Sequence, residues 1–454
     1  MKLKIISVFV LGMVLSSFSY AETVGFSLEA GQALNPRGID IAVIDDHTSE
    51  ALTDAVITTT DTKPRTITVS HPGYATLTLV GVNSERVTIY LKPLPTTDAQ
   101  VMASGTMSDY IDVPKSHLIG GFAVRNLSAM DLLDFDTRSL ISPINDTINV
   151  FGPRQIPSNF MLPDQHPGFL IGMVHINKPV YRLPMAPKRK VRLVGIQAQV
   201  KIADFLPGLS NRSSISSLNK LKFDRVTWTD EITPEADFEM NLSNFRDLVP
   251  TYNVTVTQPP FKADVYVLAV SDLFGDSQVM IPTDVRGAYD SSKSDPIVPI
   301  SVLGPSEKIG VSSHIVALAA SPDGLQFSGI ISSDDASELS PGAFSEVLPM
   351  ADKQPLPETM LVQAPANGLS MVDIIADDDS HHMKNTHRVI VLPGAGVTTV
   401  PLAKFASETL YGAKVHQYQL GHLEFAPGFN PDQIDGAKCV MGLQRFSWST
   451  ARVQ

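Results

Sequence analysis

The feature that most constrains the fold of this chain is its succession of short runs rich in Val, Ile and Thr, separated by Gly, Pro, Asn and Asp. Two of these runs, 66–69 and 87–91, alternate apolar and polar residues with the period of two expected of a half-buried strand. Short runs with turn-forming residues between them are typical of antiparallel sandwiches, not of alternating strand–helix units. The sequence therefore predicts a mainly β fold: several antiparallel, Greek-key-like β-sandwich units in tandem, with a few short helices.

Three segments carry the signals of a helix start. The segment from Thr233 to Leu248 begins with a capping residue followed by proline, the order that opens a helix. Pro401 opens a second predicted helix that extends to Tyr411, before a glycine. The third predicted helix is short and covers residues 128–133.

The N-terminus has the layout of a secretory signal peptide. Lys2 and Lys4 precede an apolar run over residues 5–15, and small residues follow it. The run is too short to cross a bilayer core of about 30 Å. We therefore predict cleavage after Ala21 and a mature chain that begins at Glu22. The expected location is the periplasm, the cell surface or the extracellular medium of a bacterium.

Charge and cysteine content exclude several classes of partner and fold. The chain has 35 Lys and Arg against 47 Asp and Glu, a net charge of −12, which disfavours nucleic acid and anionic membranes. After removal of the leader, no stretch is apolar and long enough to span a membrane. A single cysteine rules out a disulfide framework. The expected partners are an envelope protein or a carbohydrate.

Shifts in composition and Pro-rich joints divide the sequence into five predicted segments. They are a signal peptide (1–21), a first β-sandwich (22–97), a strand-rich middle unit (98–232), a β-rich unit with one helix (233–350) and a C-terminal sandwich-like unit (351–454).

The first sandwich contains a strand that ends in Asp, a short Ala-Val strand, a Gly-Tyr turn and a final strand. These are the segments 39–45, 54–58, 71–75 and 87–91. Gly73 supplies the positive φ of the turn, and Tyr74 leads into the next strand with a large, half-buried ring. In this order the segments resemble the carboxypeptidase regulatory-like fold. The resemblance implies a support, spacer or docking module, and it brings no catalytic residues with it.

One acidic, histidine-containing segment suggests a metal site. Carboxylates and imidazoles are the side chains that bind Zn²⁺, Mn²⁺ or Ca²⁺. We predict four ligands here: Asp377, Asp379, His381 and His387. Their spacing fits neither the HExxH motif nor an EF-hand loop. The alternative is a solvated loop between two strands. A divalent metal is the one cofactor that the sequence suggests.

A second group lies in the segment VHQYQLGHLEF. His416, Tyr418 and Leu420 share one face of a strand, and His422 and Glu424 continue that face unless a bulge at the intervening glycine breaks it. A His–Glu pair is able to do acid/base work. The commoner alternative is surface polarity on an edge strand.

The remaining sequence signals favour a protein that is not an enzyme. The chain lacks the G-x-S-x-G nucleophile elbow and the phosphate-binding glycine motifs. Trp228 and Trp448 alternate with polar residues and are expected to point inward, which disfavours a sugar-stacking surface. We therefore predict non-catalytic binding or scaffolding at the bacterial cell envelope. The alternatives are a metal-dependent secreted hydrolase and a calcium-ordered carbohydrate-binding or adhesin-like protein.

Overall fold

Most of the described residues lie in β-strands, which confirms the mainly β prediction. The computed structural model describes residues 25–94 (apart from 35, 37 and 47), 101–109, 116–125, 147–151, 154–157, 169–172, 180–185, 187–188, 190–201, 219–220, 222–272, 280–289, 297–303, 312–332, 338–339, 342–377, 383–407, 414–434 and 442–454. The predicted leader and the helix predicted at 128–133 lie outside these ranges.

The contacts between residues divide the described chain into two compact units. Unit 1 draws on Thr96–Pro322 and Gly329–Phe344. Unit 2 draws on Ala21–Pro95, Asp323–Ser328 and Ser345–Gln454. The segment that resembles a regulatory-like sandwich and the C-terminal segment therefore belong to the same compact unit. The finer boundaries at 97, 232 and 350 stay predictions.

The strands are numbered along the chain. The first six are β1 (Phe26–Glu29), β2 (Asp40–Asp45), β3 (Val56–Thr59), β4 (Arg65–Ser70), β5 (Thr76–Val82) and β6 (Arg86–Leu91). The next eight are β7 (Val101–Thr106), β8 (His117–Arg125), β9 (Thr147–Phe151), β10 (Arg154–Pro157), β11 (Phe169–Gly172), β12 (Val180–Met185), β13 (Leu193–Lys201) and β14 (Lys222–Trp228).

The second half of the chain continues in the same way. Its first eight strands are β15 (Phe238–Glu239), β16 (Arg246–Thr255), β17 (Asp264–Asp272), β18 (Met280–Tyr289), β19 (Ile297–Leu303), β20 (Ser312–Ala320), β21 (Gln326–Ser332) and β22 (Glu338–Leu339). The last six are β23 (Met360–Gln363), β24 (Gly368–Asp377), β25 (Met383–Val391), β26 (Val397–Val400), β27 (Lys414–Phe425) and β28 (Leu443–Arg452). A 3-10 turn covers Pro393–Ala395, and helix α1 covers Leu402–Ser407.

The described residues of unit 1 form several sheets, and two buried apolar clusters lie among them. Its longest strand order is β11-β8-β13-β14-β16-β19, and β22 also pairs with β16; the other neighbours are β12-β7-β15, β18-β17-β20 and β10-β9. One cluster gathers around the fully buried Tyr181 and draws on β7, β8, β12 and β13. The other is formed mainly by alternate residues of β16, β17, β19 and β20.

Unit 2 contains a three-stranded sheet, β1-β6-β2, a two-stranded sheet, β23-β26, and a longer strand order, β28-β27-β24-β25-β5-β4-β3. We call the longer order the main sheet of unit 2. In β4 and β6 every second residue is buried, so each strand has one core face and one outer face. The predicted alternation at 66–69 and 87–91 therefore forms strands as expected.

The main sheet joins the two ends of the sequence. β5 pairs in parallel with β25, with Thr76 opposite His387 and Val80 opposite Val391. The other pairs that join strands from β3 to β5 and from β24 to β28 in this sheet are antiparallel. One parallel contact, between segments far apart in sequence, thus completes the sheet.

The helix predicted from Thr233 to Leu248 does not form. This segment instead runs beside β7, where Phe238 pairs in parallel with Ala103. The side chain of Asp237 accepts the N–H of Met102 at 2.8 Å, and that of Asn241 accepts the N–H of Thr106 at 2.9 Å. Tertiary hydrogen bonds to a strand edge outweigh the local helix signal.

The helix predicted from Pro401 to Tyr411 forms as far as Ser407, and the remainder of that prediction lies outside the described residues. α1 begins at the residue after Pro401, and the N–H of Phe405 donates to the carbonyl of Pro401 at 3.2 Å. Leu402 and Phe405 are buried in a cluster with residues of β24 and β25. None of the helices in the described ranges is long and apolar enough to cross a bilayer.

Candidate functional site

The four predicted metal ligands are described only in part. Asp377 is the last residue of β24, and Asp379 and His381 lie outside the described ranges. His387 lies in β25 and is 3% exposed. Within the described ranges no three His, Cys, Asp or Glu side chains form a group able to hold a metal. The metal site stays a prediction.

His387 is surrounded by core residues. Its Nε2 atom is 3.1 Å from the hydroxyl of Thr78, and its ring stacks on Phe405 with the centroids 3.9 Å apart. Burial lowers the pKa of His387 to about 3, and the positive charge of Lys404 adds to this effect. The imidazole is therefore neutral at physiological pH, and its packing is that of a structural residue.

Four members of the second predicted group, Tyr418, Leu420, His422 and Glu424, lie on one face of β27 without a break at Gly421. β27 pairs with β24 in continuous register from Glu424 back to Gln417, and the register shift falls beside His416. Gly421 has a different role, because a Cβ atom there would lie 2.5 Å from Nε1 of Trp448. β27 is also flanked by β24 and β28, so the edge-strand alternative is wrong.

His422 and Ser370 form a close polar pair in this sheet. The Nδ1 atom of His422 is 2.7 Å from Oγ of Ser370, whose hydroxyl donates to the carbonyl of Gln363 at 3.0 Å. Because the hydroxyl has only one hydrogen, Nδ1 donates to Oγ and the basic lone pair stays on Nε2. Ser370 is also fully buried. This geometry does not activate Ser370 as a nucleophile.

Glu424 lies next to this pair and is held by other groups. Its Oε2 atom accepts from Nη2 of Arg445 at 2.7 Å, and its Oε1 atom accepts from the hydroxyl of Ser345 at 3.3 Å. Burial lowers the pKa of His422, and the Glu424 charge opposes that shift. His422 and Glu424 are thus electrostatic neighbours, each with its own hydrogen-bond partners.

The other face of the main sheet carries a row of buried polar side chains. The row crosses four neighbouring strands, and none of its members is more than 4% exposed: Arg388 on β25, Asp373 on β24, Gln419 on β27 and Thr450 on β28. Asp373 and Arg388 form a two-pronged ion pair. The sequence signal for this row is the single charge inside each of two apolar runs, MVDIIA and HRVIVL.

The Gly-Tyr turn of the first segment makes a polar link to the strand that ends in Asp. Gly73 has φ +85°, as predicted, and the Tyr74 hydroxyl donates to Oδ2 of Asp45 at 2.5 Å. Next to this link, Nε2 of His71 is 3.0 Å from Oδ1 of Asp54. These bonds fix the chain just before β3, because Asp54 precedes that strand by two residues.

β3 has the features of a binding edge. It is the last strand of the main sheet, and all four of its residues are exposed. Val56 is 60% exposed and Ile57 is 40% exposed. Ile57 lies opposite Val69 of β4, which is fully buried, so the apolar face of the sheet continues to this edge. We refer to Val56–Thr59 as the β3 edge.

The direction of the free backbone groups follows from one hydrogen bond. The N–H of Thr60 donates to the carbonyl of Thr66 at 3.0 Å, which makes this a hydrogen-bonded pair. Such pairs alternate along an antiparallel ladder, so Thr58 and Val56 also bond to β4. The N–H and C=O groups of Ile57 and Thr59 therefore point away from β4, and no strand of the described chain pairs with them.

The two outer strands of the three-stranded sheet, β1 and β2, are covered. The N–H of Leu28 in β1 donates to the carbonyl of Ile434 at 2.8 Å. On β2, the carbonyl of Val43 accepts from Leu52 at 2.9 Å, and the N–H of Asp45 donates to Glu50 at 2.8 Å. Coverage of this kind is how proteins protect sheet edges. The β3 edge lacks it within the described residues.

Comparisons with known proteins add no assignment. No protein-family model matches the chain, and no curated protein matches it. Among solved structures, it is similar to the major pilin protein T-13 of Streptococcus pyogenes, with 8% identity, 65% of this chain and 97% of the pilin covered and a TM-score of 0.10.

The chain is also similar to two structures of alpha-2-macroglobulin from Escherichia coli. The trypsin-activated form shows 10% identity over 97% of this chain and 31% of that chain, with a TM-score of 0.13. The native form shows 8% identity over 97% and 30%, with a TM-score of 0.11. The chain thus spans about a third of the length of these macroglobulins. At such TM-scores the similarities carry no argument about fold or function.

Proposed function

We propose that this chain is an exported, multi-domain β-protein that performs non-catalytic binding or scaffolding at the bacterial cell envelope. Its binding element is the β3 edge, which adds an extended segment of a partner protein to the main sheet of unit 2. The observation that carries this proposal is the uncovered edge, with Ile57 and Thr59 directing their backbone groups outward.

Strand addition suits the chemistry of this edge. Each backbone hydrogen bond formed across it contributes about 0.5–1.5 kcal/mol net. Side chains of an added strand would also cover Ile57, which extends the apolar face formed by the buried Val69. Main-chain bonds supply affinity in this binding mode, and the alternating side chains supply selectivity.

Two further features support a binding function. The resemblance of residues 22–97 to the carboxypeptidase regulatory-like fold implies a support or docking module, and β3 belongs to this segment. Among the described residues of unit 2, Ser370 has the hydroxyl closest to a histidine, and this hydroxyl donates its hydrogen to a backbone carbonyl. The predicted leader supplies the route to the envelope.

Site-directed photo-crosslinking in the producing cell tests the binding element. A benzophenone side chain replaces Thr58, whose own backbone groups face β4. We expect an adduct of defined mass with one envelope protein. Ile57→Pro removes an outward N–H without removing a bond to β4, so the adduct should disappear.

A matched probe controls for random collision. The same photo-reactive side chain at Leu361, which is 69% exposed on β23, should give no adduct that depends on Ile57. An adduct from position 58 that persists unchanged in the Ile57→Pro chain, or no adduct at that position, would contradict the proposal.

The export part of the proposal has its own measurement. Intact mass of the protein from fractionated cells should show loss of residues 1–21 and an N-terminus at Glu22. The protein should be recovered from the periplasm, the surface or the medium. Recovery of the unprocessed chain from the cytoplasm would contradict export and leave the binding edge to be judged separately.

A further inference from the structure

We infer that the segment held by the β3 edge is an extended strand with β-branched or other apolar residues in its centre and a basic residue at each end. This inference rests on the proposed function of the edge and specifies the partner's chemistry. It follows from the charges that surround the edge.

Two exposed carboxylates bracket the β3 edge. Asp54 lies two residues before Val56, and Asp61 lies two residues after Thr59. The side chain of Asp54 is 79% exposed. The hydrogen bond from His71 lowers the pKa of Asp54, which keeps the carboxylate ionised in mildly acidic conditions. Asp54 and Asp61 lie in the turn and the bend that flank the strand, which itself covers Val56–Thr59.

The neighbouring cations have other partners. The Nζ atom of Lys63 is 3.1 Å from Oε1 of Glu85. The guanidinium of Arg65 is buried and donates to the carbonyl of Gly38 at 3.1 Å. Neither of these two cations is therefore committed to Asp54 or Asp61. His71 contacts Oδ1 of Asp54 at 3.0 Å but leaves that side chain 79% exposed, so a partner's Lys or Arg can still reach the carboxylate at each end of the edge.

The same charges disfavour a second copy of this chain as the occupant. A two-fold antiparallel pairing of β3 with itself must place residues with outward backbone groups opposite one another, for example Ile57 opposite Thr59, and it brings the end of one copy that carries Asp54 beside the end of the other that carries Asp61. Like charges in such positions are destabilising. The net charge of −12 adds long-range repulsion between copies. A strand with basic ends meets neither obstacle.

The centre of the edge sets the apolar part of the partner. Val56 and Ile57 lie on opposite faces of β3 and are both substantially exposed. Successive residues of an added strand also point to opposite faces, so neighbouring partner residues cover Val56 on one face and Ile57 on the other. β-branched residues suit both faces of a strand in this position.

Binding of two synthetic peptides to the full chain tests the inference. Both have the central sequence Thr-Val-Thr-Val-Thr-Val; one has Lys at each end and the other has Glu. Peptide termini are capped, and binding is measured by fluorescence anisotropy. The measurement is made at about 0.01 M salt, where the screening length is about 30 Å. We expect the Lys-ended peptide to bind about tenfold more tightly than the Glu-ended peptide.

Variants separate the role of charge from that of the backbone. The double variant Asp54→Asn, Asp61→Asn should bring the two peptide affinities to within about twofold of each other. Glu358→Gln, which neutralises an exposed carboxylate elsewhere in unit 2, should leave the preference unchanged. Ile57→Pro should weaken both peptides by about tenfold or more, because it removes an outward donor. Trp448 emission confirms that each variant of unit 2 is folded.

The outcomes distinguish this inference from the proposed function. If both peptides bind equally and Ile57→Pro weakens both, the edge binds strands but the charge preference is overturned. If neither peptide binds, or Ile57→Pro has no effect, the binding edge itself is overturned. Sedimentation that shows a dimer lost in Ile57→Pro would identify a second copy as the occupant and overturn the inference.

Discussion

Each unit buries one carboxylate beside one arginine, and the two pairs are built differently. In unit 2, Asp373 and Arg388 lie directly opposite on β24 and β25, with Nε–Oδ1 at 2.7 Å and Nη2–Oδ2 at 2.9 Å. In unit 1, Asp284 and Arg286 lie two residues apart on β18. Nε and Nη2 of Arg286 both donate to Oδ2 of Asp284, at 3.3 and 3.1 Å.

In unit 1, proximity to Arg286 does not by itself keep the buried carboxyl group of Asp284 acidic. Asp284 also accepts the N–H groups of Val285 and Ser301, both at 2.8 Å. Burial nevertheless raises the pKa of Asp284 to about 6, because desolvation outweighs the Arg286 charge and these hydrogen bonds. In unit 2, the Asp373–Arg388 pair matches two nitrogens to two oxygens, the geometry in which charge-assisted bonds are strongest.

The two tryptophans allow each unit to be followed separately, because the chain has 2 in all and one lies in each unit. Trp228 reports on unit 1 in a Trp448→Phe background, and Trp448 reports on unit 2 in a Trp228→Phe background. Urea unfolding followed by tryptophan emission then yields a free energy of unfolding for each unit.

The largest expected effect comes from breaking the pair in unit 2. Arg388→Met leaves Asp373 buried without its arginine and should lower the free energy of unfolding of unit 2 by about 3–5 kcal/mol. The double variant Asp373→Leu, Arg388→Met should recover most of this loss, since apolar residues replace both charges. If the double variant is no more stable than Arg388→Met, the loss does not come from leaving the Asp373 charge without its partner.

The next effect concerns the pH dependence of unit 1. The folded pKa of Asp284, about 6, lies above its ordinary value of 3.8, so its stabilisation is present at low pH and is lost as the pH rises through 6. The parent should lose about 3 kcal/mol relative to Asp284→Asn between about pH 3.5 and pH 7. Asp230→Asn, at an exposed position in the same unit, is the control. Parallel pH profiles for parent and Asp284→Asn would show that burial does not raise the pKa of Asp284.

The smallest effect has the opposite sign and occurs in unit 2. The folded pKa of His387, about 3, lies below its ordinary value of 6.5, so its stabilisation is present at neutral pH and is lost as the pH falls. The parent should lose about 2 kcal/mol relative to His387→Gln between about pH 7 and pH 5. A parent that keeps its advantage at pH 5 would show that water reaches this ring.

Local patterns in the sequence predicted the strand content well. Alternation at 66–69 and 87–91, the positive φ of Gly73 and the helix start after Pro401 all depend on neighbouring residues, and all three are as expected. The signal at Thr233 failed because Asp237, four residues later, bonds to a strand more than a hundred residues away.

Features that depend on distant pairing were not predictable. The position of β3 at an open edge follows from the order of all the strands in the sheet, and no local signal encodes that order. The buried environment of His387 likewise requires Thr78 and Phe405, which the sequence separates widely. The metal prediction used residue type and spacing alone and therefore could not include that packing.

The parallel pairing of β5 with β25 has a consequence for how the chain acquires its structure. Thr78 and His387, which meet at this pair, are 309 residues apart in sequence. Closing a loop of that length is entropically costly and slow. During synthesis, β5 is therefore complete long before the strand that covers it exists. We expect unit 2 to fold only after its last strands are made, with refolding kinetics set by the closure of its N-terminal strands onto its C-terminal ones.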